Sequence, residues 1–321
     1  MPARAGNHPR IAIVGATGTV GSQIAALIEE RAFPHAELKL FGSNAEVSAA
    51  VEISDEVREV DALESASELA AFDIAFIATP AEAAEPILRA APGPFLIDLS
   101  GAKLTPDGVI PIVAPGLTPR SRLSGPQDLR CFTVPHPAAQ VIANLMSALD
   151  FDGDFAAAMV LLAAASRGRE AIAALFRQSA DLLNLRLDLA DEETQTAFNV
   201  FLPRSADATA ATIAAQVAIL RAGAPAPLVQ IAHVPAFHGG AVALLLPANP
   251  AIAEWGTRLR EAPGIVLVES GAGSSFVAAA TQDAVVVKLT ATAAGATLWC
   301  VFDPARVAAL TALWIAENLD R

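Results

Sequence analysis

Arg10-Ile-Ala-Ile-Val-Gly15 runs directly into Ala16-Thr-Gly-Thr-Val-Gly21. A short β-branched run bounded by glycine reads as a buried parallel strand. The glycine spacing after it, GxxGxxG, is a relative of the dinucleotide fingerprint. Gly15 and Gly18 let the backbone turn tightly and approach a pyrophosphate. Gly21 lets the following helix pack closely on the strand. A helix predicted from Val20 to Arg31 aims its N-terminal amides at the phosphates. Gly15, Ala16, Thr17, Gly18, Thr19 and Val20 are therefore expected to line a nucleotide site.

Reading outward, a second strand is predicted at Glu37–Phe41, and its tip reads Gly42-Ser43-Asn44. That tip has a serine where an acidic residue usually meets the adenosine ribose. Glu46–Ala70 reads as acidic loop, with room for two short strands. Strand Asp73–Ala78 ends in Thr79-Pro80, helix Ala81–Ala91 follows, and strand Phe95–Leu99 carries Asp98-Leu99-Ser100 at its tip. Ser43 and Thr79 join the cofactor-binding candidates. Strands alternating with helices predict an α/β fold, a Rossmann-type doubly wound parallel sheet. A further short strand is predicted at Pro111–Pro115.

The Pro/Gly/Ser-rich stretch Pro115–Gln127 reads as a linker. Beyond it the pattern predicts strand Leu129–Val134, helix Ala138–Leu149, strand Met159–Ala165, and long helices at Gly168–Asn184 and Thr209–Gly223. Strands follow at Val229–Val234, Gly240–Leu246, Ile265–Glu269, Asp283–Thr290 and Ala296–Phe302. This half is expected to be an α+β domain with a mixed or antiparallel sheet. The last helix, Pro304–Leu319, is expected to return to the first domain. The expected division is residues 1–128 with 304–321, and residues 129–303.

Composition narrows the partners. The chain has 321 residues, 54% of them hydrophobic and only 17% charged, which excludes intrinsic disorder. The longest apolar run, Phe155–Ala165, has eleven residues, against roughly 20 for a membrane span. No membrane partner is expected. With 21 Lys+Arg against 34 Asp+Glu, the net charge is −13. No basic stripe offers the clustered cations that a nucleic acid needs, so no nucleic-acid partner is expected. Ile11 opens a strand that enters a glycine turn with no cleavage site behind it, so no secretion leader is expected. Cys131 and Cys300 lie in apolar runs and read as buried free thiols of a reducing cytoplasm.

Several segments together carry a family resemblance. They are Val14-Gly-Ala-Thr-Gly-Thr-Val-Gly21, Ile97-Asp-Leu-Ser100, Ile110-Pro-Ile-Val-Ala-Pro115, Gly168-Arg-Glu-Ala-Ile-Ala-Ala-Leu175, Gln178-Ser-Ala-Asp-Leu-Leu-Asn184, Ala197-Phe-Asn-Val-Phe-Leu-Pro203, Val234-Pro-Ala-Phe-His-Gly239 and Leu298-Trp-Cys-Val-Phe-Asp303. In this order the chain resembles the aspartate-semialdehyde dehydrogenase family over nearly its whole length. The segment Gln178–Asn184 makes it most similar to the family's Usg-type homologues.

The resemblance implies a reaction. A cysteine thiolate attacks an aldehyde, a histidine serves as acid and base, and NADP takes the hydride. Set against that pattern, Pro137 stands at the cysteine's place and Gly240 at the histidine's. His233 replaces the arginine that holds the substrate carboxylate. Leu162 and Pro304 stand where the family has a glutamine and an asparagine. The phosphate-binding arginine should fall near Leu104, where only Lys103 offers a cation. No catalytic residue is therefore assigned, and His136, His233 and His238 are the weak candidates.

The expected function is that of a non-catalytic homologue, a pseudoenzyme keeping a nucleotide-binding fold and a dimerisation domain, with NAD or NADP as cofactor. The alternative is an NAD(P)-dependent oxidoreductase acting on an aldehyde or oxo group in amino-acid metabolism, with one of the three histidines as proton donor. A small-molecule or nucleotide ligand and a homodimer are the expected partners. The dimer follows from Val/Leu runs at Ala241–Leu246 and Val285–Leu289, which imply strands covered on both faces, and the resemblance implies it too.

Overall fold

A computed structural model describes residues 8–42, 50–53, 56–90, 93–102, 111–123, 130–186, 194–269, 274–280 and 282–319. Two compact units divide the chain: Met1–Pro135 with Ala308–Arg321, and His136–Val307.

The first unit is a doubly wound sheet. Its elements are β1 (Arg10–Val14), α1 (Thr19–Glu30), β2 (Glu37–Gly42), β3 (Ala50–Ile53), β4 (Glu56–Glu59), β5 (Asp61–Ala62), β6 (Ile74–Ile77), α2 (Ala81–Ala90), β7 (Phe95–Asp98) and β8 (Cys131–Thr133). Six strands lie in the order β5-β2-β1-β6-β7-β8, every pair parallel. β3 and β4 form a separate antiparallel pair.

Alternation along β1 explains the two layers. Ile11 and Ile13 join Ile24, Leu27 and Ile28 of α1, together with Ala309, Leu313 and Ile315. Ala12 and Val14 face the other way, toward Leu69, Phe72, Ala75 and Ala84. Both faces of the sheet are covered, and that is why its strands read as unbroken apolar runs.

The second unit holds α3 (Pro137–Ala148), β9 (Ala157–Leu162), α4 (Arg169–Leu183), α5 (Ala206–Leu220), β10 (Leu228–His233), β11 (Gly240–Pro247), α6 (Trp255–Glu261), β12 (Ile265–Leu267), α7 (Phe276–Ala279), β13 (Val285–Thr292) and β14 (Gly295–Phe302). The last helix, α8 (Pro304–Glu317), starts in this unit and passes into the first from Ala308 onward. The sheet order is β10-β9-β11-β14-β13-β12, with β9–β10 and β12–β13 parallel and the other pairs antiparallel. It is a mixed sheet.

One face of this sheet is fully packed. Ile231, Val160, Val242, Cys300 and Val287 lie in register across it, all buried. α5 packs against β10, and α3 packs against α5 and β11. α4 builds a smaller cluster through Ala171, Ile172 and Leu175 on Ala164 and Ala197. The opposite face is covered at one end only, where Ala279 and Phe276 meet Ala241, Val286 and Val301. At its other end Leu228 and Leu245 stand exposed.

Three expectations need correction. β8, expected in the second domain, pairs with β7 and completes the first sheet. The strand expected at Pro111–Pro115 is a single bridge, Ile112 to Thr133; two prolines without N–H groups prevent a longer ladder. The strand expected to reach Ala165 stops at Leu162 and turns into a 3₁₀ segment, Ala164–Arg167. α6, α7 and the 3₁₀ turn Ala66–Ala71 are further short elements that the sequence pattern does not predict.

Candidate functional site

In the first unit the chain order of the strands reverses between β1 and β6, and a crevice at the carboxyl ends of these strands is the binding place of such sheets. Gly15 leaves β1 with φ +86°, and a side chain there would sit 2.6 Å from the Ala78 carbonyl oxygen. The amides of Gly15 and Ala16 donate to the Phe41 carbonyl at 2.8 and 3.0 Å, which pins the loop to β2. Gly18 caps α1 and no side chain caps that helix. Its first-turn amides are therefore open to an anion. A Cβ on Gly21 would come 2.1 Å from the Gly15 carbonyl oxygen.

Thr79 closes the crevice from β6. Its hydroxyl is buried and has no hydrogen-bond partner, a state that costs free energy unless a ligand satisfies it. These residues fit a dinucleotide: a glycine turn for the pyrophosphate, open helix amides, and a hydroxyl in want of a partner. Ser43 and Asn44, with Lys103 and Leu104, lie outside the described residues.

Asp98 at the end of β7 is fully buried. One oxygen accepts from the Ser100 amide at 2.8 Å and the Ser100 hydroxyl at 2.6 Å. Burial still outweighs these bonds and raises its pKa. The carboxylate is spent on holding a turn. Cys131 shares its surroundings: burial first, then the Asp98 charge, pushes its thiol up to about 12. A thiol so far from ionising at neutral pH is a poor nucleophile. Burial raises the Cys300 thiol as well.

In the second unit Pro137 is the first residue of α3 and His136 is its N-cap. The ring Nδ1 accepts from the Ala138 amide at 3.2 Å, and the His136 backbone N–H donates to Gln216 Oε1 at 2.7 Å. An accepting Nδ1 places the proton of the neutral ring on Nε2. Burial lowers the pKa to about 4. His136 is thus a neutral cap near pH 7.

His238 is exposed in the loop before β11. A Cβ on Gly240 would meet Pro304 Cγ at 3.0 Å and Phe302 Cζ at 3.2 Å, so the space beside it is filled. His233, at the end of β10, is buried and stacks on Phe201, with ring centroids 5.5 Å apart. Burial lowers its pKa, and the nearby Arg167 lowers it further. Arg167 lies over the same Phe201 ring at 5.4 Å. Sequence reading missed Arg167 and Phe201 because they become neighbours only through tertiary pairing.

The glycine cradle on a reversed parallel sheet defines a dinucleotide-fold protein. The family described as semialdehyde dehydrogenase, NAD binding domain, matches residues 10–121. Along nearly its whole length the chain is 32% identical to the USG-1 protein homolog of Azotobacter vinelandii, covering 96% of this chain and 97% of that protein. The USG-1 protein homolog of Pseudomonas aeruginosa matches at the same identity and coverage. Among solved structures, a probable aspartate-semialdehyde dehydrogenase from Pseudomonas aeruginosa superimposes with a TM-score of 0.86 at 30% identity, over 96% of this chain and 97% of that one. Aspartate semialdehyde dehydrogenase with NADP from Candida albicans shares the fold, with a TM-score of 0.68 at 14% identity over 97% of this chain and 98% of that one. This chain belongs to the USG-1 family of aspartate-semialdehyde-dehydrogenase-like proteins.

Among the described residues no helix is long and apolar enough to cross a membrane, and no group of His, Cys, Asp and Glu is arranged to hold a metal.

Proposed function

We propose that this protein binds a nicotinamide dinucleotide, pairs as a homodimer through its second unit, and does not carry out covalent semialdehyde dehydrogenation. One contrast carries the reading. The Gly15–Gly21 cradle is complete, while α3 starts on Pro137, which has no nucleophilic side chain, behind a histidine used as its cap. When bound, such a dinucleotide can accept or supply a hydride. This chain's residues hold the pyrophosphate with α1 amides and meet the nucleotide with the Thr79 hydroxyl.

A 2′-phosphate wants a charged, forked partner. The described cations around β2 are engaged: Arg58 with Glu29 at 2.5 Å, and Lys39 with Asp61. NAD is therefore expected to bind at least as well as NADP in a calorimetric titration. NADP binding about tenfold tighter, or about 1.4 kcal/mol, contradicts the proposal. With aspartate semialdehyde, phosphate and NADP, no reduction is expected. Turnover that survives Cys131→Ser would instead support an oxidoreductase of altered, non-covalent chemistry.

The homodimer rests on exposed apolar surface. Among the described residues, every large apolar side chain left exposed lies between Phe155 and Val277, all within the second unit. Leu228 and Leu245 sit on the open sheet face, and Phe198, Val200 and Leu202 alternate along the segment that bridges to β10. A monomer rarely leaves so much apolar surface wet, and a second copy covers it by matching each patch with its counterpart. Light scattering at micromolar concentration is expected to give twice the chain mass of 33.0 kDa, and Leu245→Arg to shift it toward the monomer. A wild-type mass near that of one chain refutes the dimer.

A further inference from the structure

We propose that α4 carries a self-pairing face of its own, on which two copies of the chain meet as an antiparallel helix pair. The helix bears two stripes. Ala171, Leu175 and Leu182 point inward and join the cluster with Ala164 and Ala197. Gln178, on the same side, accepts from the Thr196 and Ala197 amides at 2.7 and 3.2 Å. Ala173, Phe176, Ala180 and Leu183 form the second stripe, on the side turned away from that cluster. Here Phe176 is 69% exposed and Leu183 75%. Ile172, Ala173 and Phe176 line an open groove with Phe237, which comes from the loop before β11.

The spacing from Ala173 to Leu183 is that of the seam of a coiled coil, with alanine at one seam position and Phe or Leu at the other. This order of small and large residues selects the partner and its direction. In a parallel pair each residue meets its own copy, so Phe176 crowds Phe176 and Ala180 gapes at Ala180. In an antiparallel pair whose twofold crosses at the level of Gln178, Ala173 meets the partner's Leu183 and Phe176 meets the partner's Ala180. Every layer then sets one large side chain against one alanine, as close packing requires. A face complementary to itself in this way fits a second copy. The ends agree in charge. Glu170 lies in the first turn and Arg186 just past the last, so antiparallel packing brings opposite charges toward each other at both ends.

Area sets the strength. Covering the exposed parts of Phe176, Leu183, Leu185 and Phe237 removes on the order of 500 Å² per copy, about 1,000 Å² in total. That is the lower limit for a specific interface, so the α4 contact is weak and forms above micromolar concentration. It uses neither Leu228 nor Leu245, and it adds to the sheet contact a second joint between copies.

The test uses the full chain. Sedimentation equilibrium of the wild type is expected to show the mass doubling between about 1 and about 100 µM. Phe176→Asp, a change at an exposed position, is expected to lose that rise and to keep the micromolar mass. Leu245→Arg is expected to keep a rise of its own. Disulfide formation under mild oxidation reads the register. Chains carrying Ala173→Cys, mixed with chains carrying Leu183→Cys, are expected to link one to one. Neither variant alone is expected to link to itself, because in this register each residue lies on the order of 15 Å along the helix from its own copy, beyond disulfide reach. Self-linking of either variant as fast as in the mixture overturns the antiparallel pairing, and so does a wild-type mass that stays constant over the whole range. A one-chain mass for Phe176→Asp at micromolar concentration, where the wild type shows two, overturns the separation of this face from the sheet contact. A wild type of one-chain mass at micromolar concentration, together with linking in the mixture, refutes the sheet dimer and supports the α4 pair.

Discussion

Gly21→Ala is expected to destabilise the first unit by about 3 kcal/mol, the upper part of the range for forcing extra atoms into a packed place, and to abolish nucleotide binding. The new Cβ would lie 2.1 Å from the Gly15 carbonyl oxygen and 2.9 Å from Ala16 Cα. Both obstacles are backbone, so no side-chain rotation relieves them. Relief comes only if α1 moves away from β1. That separates Ile24 and Ile28 from Ile11 and Ile13, and it carries the helix amides off the crevice. Urea unfolding measures the first effect and NAD calorimetry the second. Gly101→Ala is a control: unlike Gly21 it has a positive φ, and nothing lies within 4 Å of an added Cβ, so only backbone strain of about 1–2 kcal/mol is expected. If Gly21→Ala costs no more than that control, the close packing of α1 on the glycine turn is disproved.

Acid sensitivity traceable to His136 is the second large effect. Its pKa falls from an ordinary 6.5 to about 4 on folding. Between these values the unfolded chain takes up a proton that the folded chain refuses. Stability therefore falls as pH drops from 6.5 to 4 and loses nothing further from this group below that. The full span is about 3 kcal/mol. His136→Asn keeps an acceptor for the Ala138 amide, since asparagine is a favoured N-cap, and removes the titration. At fixed protein concentration, the variant is expected to gain on the wild type by about 3 kcal/mol between pH 7 and pH 4. Asp98, with its raised pKa, contributes in the opposite sense, as the folded form keeps a proton that the unfolded chain releases. His233, with a lowered pKa, acts in the same sense as His136. Both are common to the two proteins and cancel in the difference. Parallel curves for the two would show that the His136 ring is hydrated and titrates normally.

Much of the first unit is legible in the sequence because strands covered on both faces must be apolar without interruption. Ile11–Val14 and Ile74–Ile77 leave little else to be. The one-turn elements were illegible for the converse reason: Phe276–Ala279 and Ala66–Ala71 are too short to show a period. The place of β8 is not legible, since a run such as Cys131–Thr133 tells that it is a strand and not which strand it pairs with. The site divides along the same line. Gly15, Gly18 and Gly21 were readable because backbone geometry restricts those positions to glycine. His136 is a weak proton-donor candidate in the sequence, and the structure uses its ring to cap α3 through the Ala138 amide while its own backbone N–H donates to Gln216, 80 residues away. Arg167, Phe201 and His233 lie on three segments, brought together by the β9–β10 ladder and the Phe201 to His233 bridge.

The contribution of Ala308–Leu319 to the core around Ile11 and Ile13 sets an order of events during synthesis. The ribosome makes all of β1 to β8 before this segment exists. Until residues 308–319 emerge, one face of the nascent parallel sheet lacks the cover of Ala309, Leu313 and Ile315. The second unit, encoded between the two parts, is complete by Val307 and is free to fold first. An emerging chain of this layout holds a half-dressed sheet for most of its translation, the condition under which chaperones engage. A stop codon just after Phe302 would make that condition permanent.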